Sequence, residues 1–216
     1  MPLVSIVGFG SLLSERSAKY TFPKLENFRK ARVSRYRRIF AHTAHLFFQR
    51  GIAKIDTMEI SSLSAEPCDD PQEGFIVSLF EIDESLLPAF YEREPEFQHV
   101  WIEPEDLEGK LLGIRALMCV KYTDEGFKAK IGQAEFDRIT RECGIDRIWR
   151  DDVFPCRVYL RHCVLASQSF GEDAYASFLD HTYLADRRTT IREYLKQNSD
   201  ILDELPPESL RERYSG

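Results

Sequence analysis

Hydrophobic and polar positions divide this chain into two differently patterned parts. Residues 3–7 (LVSIV) form a short apolar run that predicts a buried strand stopping at Gly8. Residues 31–40 alternate basic with apolar positions, and residues 75–82 (FIVSLFEI) carry the clearest β-branched and aromatic strand signal. Two more strands are predicted at 100–103 and 114–122. Between Ile82 and Val100, Asp83 or Ser85 can cap a short helix, Pro88 stands near its first turn and Pro95 ends it. Glu94 is therefore expected at a helix end between two strands, with Phe90 one turn earlier facing the core. The last third is helical by period: residues 132–143, 155–170, 173–184 and 187–197. In the second of these, Cys156, Tyr159, Leu160, Cys163, Val164 and Ser167 share one face, and Gly171 closes it. Strands followed by helices, without regular βαβ alternation, predict an α+β fold: a small mixed β-barrel with surrounding helices.

Composition refines this picture. With 216 residues, 43% hydrophobic and 30% charged, the chain suits one domain with a sizeable core. Residues 1–200 are read as that domain and 201–216 as a polar tail, mobile or folded into a separate short helix. The net charge of −7 is the wrong sign for a protein whose main work is binding nucleic-acid phosphates. No apolar run approaches the ~20 residues that a membrane span needs, and the N-terminus has no basic segment ahead of a long apolar one. Five cysteines, an odd number with no CxxC pair, predict free thiols in a reducing cytoplasm rather than disulfides or a structural zinc site. The five histidines form no HExxH and no metal-spaced pair with a cysteine, so no metal site is expected.

Three segments can carry chemistry. Gly8-Phe9-Gly10-Ser11-Leu12-Leu13 follows the first strand, but Leu13 stands where a dinucleotide fingerprint needs its third glycine. Its backbone N–H groups can still cradle an anion, although a tight turn is the simpler reading from spacing alone. Tyr91-Glu92-Arg93-Glu94-Pro95-Glu96-Phe97 offers three carboxyls, ordinarily a solvated cluster. An acid/base role requires one of them to face inward, with burial and like charge raising its pKa. Helical period favours Glu94 and turns Glu92 and Glu96 away. Tyr159 on an apolar helix face is ordinarily a core tyrosine with a satisfied hydroxyl. Arg29, Lys30, Arg32, Arg35, Arg37 and Arg38 make a basic segment, read as a solvated strand face with an interaction patch as the alternative.

Taken in order, these segments resemble the γ-glutamylcyclotransferase family. Gly8-Phe9-Gly10-Ser11-Leu12 is similar to its G/A-Y-G-S loop, and Arg35-Tyr36-Arg37-Arg38-Ile39-Phe40 to its basic segment. Glu73–Ile82 resembles its next strand, and Phe90-Tyr91-Glu92-Arg93-Glu94 with Phe97 its catalytic L-D-x-x-E segment. Arg93-Glu94 matches the R-E of the glutathione-specific branch, and Pro155-Cys156-Arg157-Val158-Tyr159 resembles P-S-x-x-Y opening a late helix. Scattered short matches cover roughly residues 3–171. Phe9, Tyr91, Cys156 and Phe97 depart from the pattern, where tyrosine, aspartate, serine and tyrosine are usual.

The resemblance implies an intramolecular reaction. The α-amine of a γ-glutamyl compound attacks its own γ-carbonyl, closing 5-oxoproline and releasing an amino acid, peptide or amine. The substrate brings its own nucleophile, so no Ser or Cys nucleophile, metal or cofactor is implied. Glu94 would move the proton, the 8–12 loop would hold the α-carboxylate or developing oxyanion, and Tyr159 would contact the γ-glutamyl group. The implied partner is this small molecule, with no nucleic acid and no membrane, acting on a monomer or homodimer. A non-catalytic binding module on the same fold, or a protein- or RNA-interaction domain built on the basic segment, are the other readings.

Overall fold

The computed structural model describes residues 2–216. Met1, the first residue of the N-terminal segment read above, lies outside the described residues. The chain is a mixed α+β fold in which two sheets and a long helix enclose one main core. Sheet one has the order β2-β5-β1-β7-β6, built from β1 (Leu3–Gly8), β2 (Glu26–Ser34), β5 (Gly74–Asp83), β6 (Gln98–Ile102) and β7 (Ala116–Val120). Sheet two has the order β8-β4-β3-β9, built from β3 (Tyr36–Thr43), β4 (Glu59–Pro67), β8 (Phe154–Pro155) and β9 (Thr182–Leu184). The β2–β3 connection turns at Arg35, whose φ of 60° is the left-handed conformation. Where β7 ends, Lys121 N–H donates to Ala65 O of β4 at 2.7 Å, joining the sheets into a curled half-barrel.

Helices α1 (Glu15–Thr21), α2 (His45–Gln49), α3 (Leu87–Arg93), α4 (Asp124–Ile131) and α5 (Gln133–Cys143) punctuate the strands. Helices α6 (Arg157–Phe170), α7 (Glu172–Asp180) and α8 (Ile191–Gln197) follow them. Burying the Leu160, Cys163, Val164 face of α6 against Val7, Phe40, Leu63 and Val77 unites both sheets in one cluster. A buried aliphatic or aromatic side chain contributes about 1.5–3 kcal/mol of transfer free energy, so this face holds α6 firmly. Asp83 caps the turn before α3 by accepting from Ser85 N–H at 2.9 Å, as the sequence predicts. No helix among the described residues is long and apolar enough to cross a membrane.

The 201–216 segment folds onto the body. Short helical turns stand at Ser199–Asp203 and Glu208–Leu210, and Tyr214 beyond them is buried against the start of α6.

The basic segment departs from expectation. It is only partly a solvated face: Arg35 is exposed, Arg29, Lys30, Arg32 and Arg37 are half-buried in ion pairs, and Arg38 is buried. Arg29 pairs with Glu81, Lys30 with Asp173, Arg32 with Glu105 and Arg37 with Glu66. Arg38 is fully buried. Its guanidinium donates to Ser177 O at 2.6 Å, Phe9 O at 3.3 Å and Ile76 O at 3.4 Å, and lies over the rings of Phe75 and Phe178. Burial pulls its pKa down to about 9, so it remains a cation at neutral pH. An isolated buried charge is costly unless hydrogen bonds and ring faces surround it, and here they do. Five of the six cations are thus engaged internally, and Arg35 alone is exposed.

Arg38→Met removes the donor from three carbonyls on β5, α7 and the loop after β1. Denaturant unfolding should read a loss of ~2–4 kcal/mol. Melting should fall by roughly 5–15 °C for a domain of this size. Unchanged stability would show that the guanidinium is not a structural tie.

Candidate active site

The loop after β1 is shaped by two close approaches. A Cβ placed on Gly8 would stand 2.5 Å from Leu12 Cβ and 2.6 Å from Ser78 Oγ. Ser78 Oγ donates to Leu12 O at 2.7 Å, clamping the loop onto β5. A Cβ on Gly10 would stand 3.0 Å from the Tyr159 hydroxyl and 3.3 Å from Leu63 Cδ2. Gly10 thus lets the loop backbone reach α6. Ser11–Leu13 continue as a 3-10 turn, whose first N–H groups have no partner within the turn itself. Phe9 is buried edge-on against Phe75, and its carbonyl takes the Arg38 hydrogen bond.

A cavity of about 560 Å³ opens beside this loop. Gly8, Phe9, Gly10, Ser11, Leu12, Glu94 and Tyr159 all line it, although they come from three distant segments. Glu94 follows the last residue of α3, half-buried, while Glu92 is exposed to solvent. Tyr159 packs against Phe40 and Phe47. Burial holds its phenol protonated well above the ordinary range, with Cys163 and then the charge of Glu94 adding to the effect. It therefore presents an O–H donor at any working pH. Cys163 behind it is fully buried, and burial raises its thiol to about 12, which rules it out as a thiolate nucleophile. The Arg93 part of the Arg93–Glu94 match lies outside the described side chains.

One expectation fails here. Glu96 does not turn away: it lines the same cavity, and its Oε2 lies 2.7 Å from His42 Nε2. Helical period no longer governs its direction, because α3 has ended and Phe97 N–H donates back to Glu94 O across a turn. The carboxylate sits off the line of an ideal ring N–H donor, so this is a close contact that is not a hydrogen bond. His42 Nδ1 lies 2.6 Å from Ser62 Oγ. His42 and Ser62 are opposite one another in the β3–β4 ladder, next to a register shift in β3. Phe97 and Trp149 pack on the imidazole, each with centroids 4.6 Å away. Trp149 is held in turn by the buried Asp124 carboxylate, which accepts from its backbone N–H at 3.0 Å.

Sequence reasoning also missed Arg50, Arg213 and Tyr214 at the cavity wall. Arg50 donates to the Tyr214 hydroxyl at 2.5 Å, and Gly216 N–H donates to His162 Nδ1 at 3.0 Å. The 201–216 segment therefore forms part of the site. Its polar composition gave no signal of this; only the aromatic Tyr214 among charged neighbours could have. Among the described residues no cluster of three His, Cys, Asp or Glu side chains is arranged to hold a metal ion.

No family model matches this chain, and no curated protein matches it. Solved structures do. It is similar to an uncharacterised human protein (14% identity, 68% of this chain, 89% of that one, TM-score 0.45). It is also similar to a structure named gamma-glutamyl cyclotransferase (14% identity, 67% of this chain, 89% of that one, TM-score 0.43). A solution structure from Arabidopsis thaliana is a third (10% identity, 68% of this chain, 96% of that one, TM-score 0.40). At such scores these likenesses bear on no residue's role in this chain.

Burial lowers the His162 pKa from 6.5 to about 4, with Arg213 and Arg161 adding to it. The folded state thus disfavours the imidazolium. Its contribution is full above pH 6.5 and is lost as pH falls toward 4, amounting to at most ~3 kcal/mol. Unfolding at stepped pH should show stability falling across that window, and His162→Phe should flatten the slope. His99, lowered likewise to about 4, supplies the residual slope. A slope unchanged in His162→Phe would show that this contact does not couple to folding.

Proposed function

We propose that this chain is a γ-glutamyl cyclotransferase that closes 5-oxoproline from a γ-glutamyl compound. One observation carries the reading: a half-buried carboxyl, a glycine loop and a tyrosine hydroxyl share one cavity despite standing some 150 residues apart at the extremes. Such a cavity suits a reaction that needs positioning and one proton acceptor rather than a protein nucleophile. Folding the γ-glutamyl chain so that its α-amine meets its γ-carbonyl turns a floppy encounter into a near-attack geometry. Glu94 takes the proton that the attacking amine sheds. Tyr159 O–H and the first N–H groups of the loop turn supply donors for the substrate carboxylate or the developing oxyanion. Phe9 replaces the tyrosine usual in the resembling loop, and its carbonyl is engaged by Arg38, so the loop works through backbone rather than through that side chain.

The test is 5-oxoproline release from a panel of γ-glutamyl amino acids, peptides and amines. Glu94→Gln should lower turnover by at least ~10² while melting stays close to the parent's. Glu92→Gln, at an exposed position, should retain activity. Full activity of Glu94→Gln on every compound the parent turns over would end the reading.

The loop's contribution separates from that of its hydroxyl. Gly10→Val drives a branched side chain against Tyr159 and Leu63, whereas Ser11→Ala leaves the backbone path intact. Steady-state kinetics should show the larger loss for Gly10→Val. The reverse order would make the Ser11 hydroxyl the binding element.

A further inference from the structure

The reaction proposed above places the γ-glutamyl half of a substrate and leaves the departing half without a site. The same cavity carries a second set of polar residues, Arg50, Arg213 and Tyr214, that the reaction does not use. Tyr159 stands between the two regions, since the charges of both Glu94 and Tyr214 reach its hydroxyl. Arg50 follows α2 and is half-buried, and Tyr214 is 3% exposed. Arg50 Nη1 donates to the Tyr214 hydroxyl at 2.5 Å, and the guanidinium lies over the same ring at 5.5 Å from its centre, so the fork is held in place. That hydroxyl accepts from Arg50 and keeps its own proton to donate. Arg213 lies over the ring of Tyr20 at 4.9 Å, tying α1 to the 201–216 segment. Burial raises the Tyr214 phenol, while Arg50 and Arg213 both pull it down, so the two cations act on one hydroxyl.

Elsewhere in this chain half-buried arginines meet carboxylates. Acidic residues outnumber basic ones, 36 to 29, and Arg29, Arg32, Arg37 and Arg157 each have a carboxylate oxygen within 3.3 Å. Among the described residues no ion pair engages Arg50, whose hydrogen bond goes to a phenol instead. A planar guanidinium on a concave wall matches the two oxygens of a carboxylate. We infer that Arg50, Arg213 and the Tyr214 hydroxyl bind a carboxylate on the departing half of the substrate, so that the chain acts on γ-glutamyl amino acids or peptides rather than on γ-glutamyl amines. This rests on the cyclotransferase reading. A γ-glutamyl amino acid brings two carboxylates and one ammonium. The loop after β1 and Tyr159 serve the γ-glutamyl carboxylate, and the arginines serve the other. A γ-glutamyl amine lacks that second group and leaves the arginine donors covered without an acceptor. The two cations also offset Glu94 and Glu96, whose charges would otherwise repel an anionic substrate from the cavity.

Two substrates that differ only in that group separate a carboxylate subsite from a structural wall. γ-Glutamyl-alanine and γ-glutamyl-isopropylamine release amines of similar size, one with a carboxylate where the other has a methyl group. The parent should favour the alanine compound by ~10-fold or more in kcat/KM. Arg50→Gln and Arg213→Gln should each raise KM for it by ~10-fold with kcat held within ~3-fold, and should alter the isopropylamine compound by less than ~3-fold. Arg50→Lys, which keeps the charge, should recover part of the lost preference. Arg213→Gln leaves the Arg50–Tyr214 hydrogen bond in place, and it decides if Arg50→Gln does not fold. γ-Glutamyl-alanylglycine carries its carboxylate one residue further out. Stronger selection of it, lost in the same variants, assigns the carboxylate to a peptide, and stronger selection of the alanine compound assigns it to an amino acid. Equal losses on the acid and amine compounds would overturn the inference, by placing the arginines on the γ-glutamyl carboxylate that both share or in a structural role. No loss on either would overturn it too, and both outcomes leave the cyclotransferase reading standing. If the parent releases 5-oxoproline from none of these nor from the wider panel, the underlying reading has failed and this inference with it.

Discussion

The buried guanidinium of Arg38 is the interaction on which the rest of this structure depends. It extends from sheet two to the carbonyls of Phe9, Ile76 and Ser177, which belong to the loop after β1, sheet one and α7. Ser177 completes the tie by accepting Ile76 N–H on its hydroxyl at 2.9 Å. Among the described residues no other fully buried side chain carries a charge. A lysine could not replace it, because only the planar fork reaches several acceptors at once and lies flat between the Phe75 and Phe178 rings. Desolvation makes the cation costly, and that cost rises if any of the three carbonyls moves away. The guanidinium therefore penalises alternative positions of the Phe9 carbonyl, and the loop that follows inherits its path from a residue some thirty positions later.

The cavity follows from that arrangement. Ser78 pins the far end of the loop to β5, and Gly10 lets its middle touch the α6 tyrosine. On the opposite wall, α3 is short because Pro95 follows it so closely, and the chain leaves the helix in a turn that delivers Glu94 and Glu96 to the same space. Asp124 secures the Trp149 side of the wall through two consecutive backbone N–H groups, at 3.2 and 3.0 Å. Each wall is thus fixed by a buried polar contact rather than by apolar packing alone. This is how a small site holds donor and acceptor positions to within a fraction of an ångström.

Regular elements with a strong period were legible in the sequence. The runs at 3–7 and 75–82 became β1 and β5, paired antiparallel from Leu3–Asp83 to Gly8–Ser78, and the period of 155–170 gave α6. Strand β4 was not legible. Its Ser61, Ser62 and Ser64 interrupt any apolar pattern, yet within the fold each hydroxyl finds a partner: Phe154 O, His42 and Ile39 O. Strand propensity measures how a side chain fits a half-buried pleat, and a serine strand fits only when partners exist that no local window contains. Arg38 was misread for the same reason, since its acceptors lie on three remote segments. At the site, the loop and Tyr159 were singled out by the resemblance of their segments, and Glu94 by that resemblance together with helical period. His42, Ser62 and Glu96 could not, because cross-strand pairing and a turn bring them together. Tyr214 and the segment around it owe their burial to contacts with α2 and α6 that polar composition conceals.

Two carboxyls only two residues apart serve different neighbours. Glu94 looks toward the tyrosine side, where its charge is felt by Tyr159, while Glu96 meets an imidazole caged by aromatic rings. Had α3 continued one more turn, helical spacing would have put Glu94 and Glu96 on faces about 200° apart, and one of them would have left the cavity. Ending the helix at Arg93 removes that constraint. The backbone then changes direction between Glu94 and Phe97, and both carboxyls can enter the site from one side. Pro95 is what makes this possible, since it bars the helix from running on. The placement of both carboxyls at the cavity is in this sense set by a helix stop.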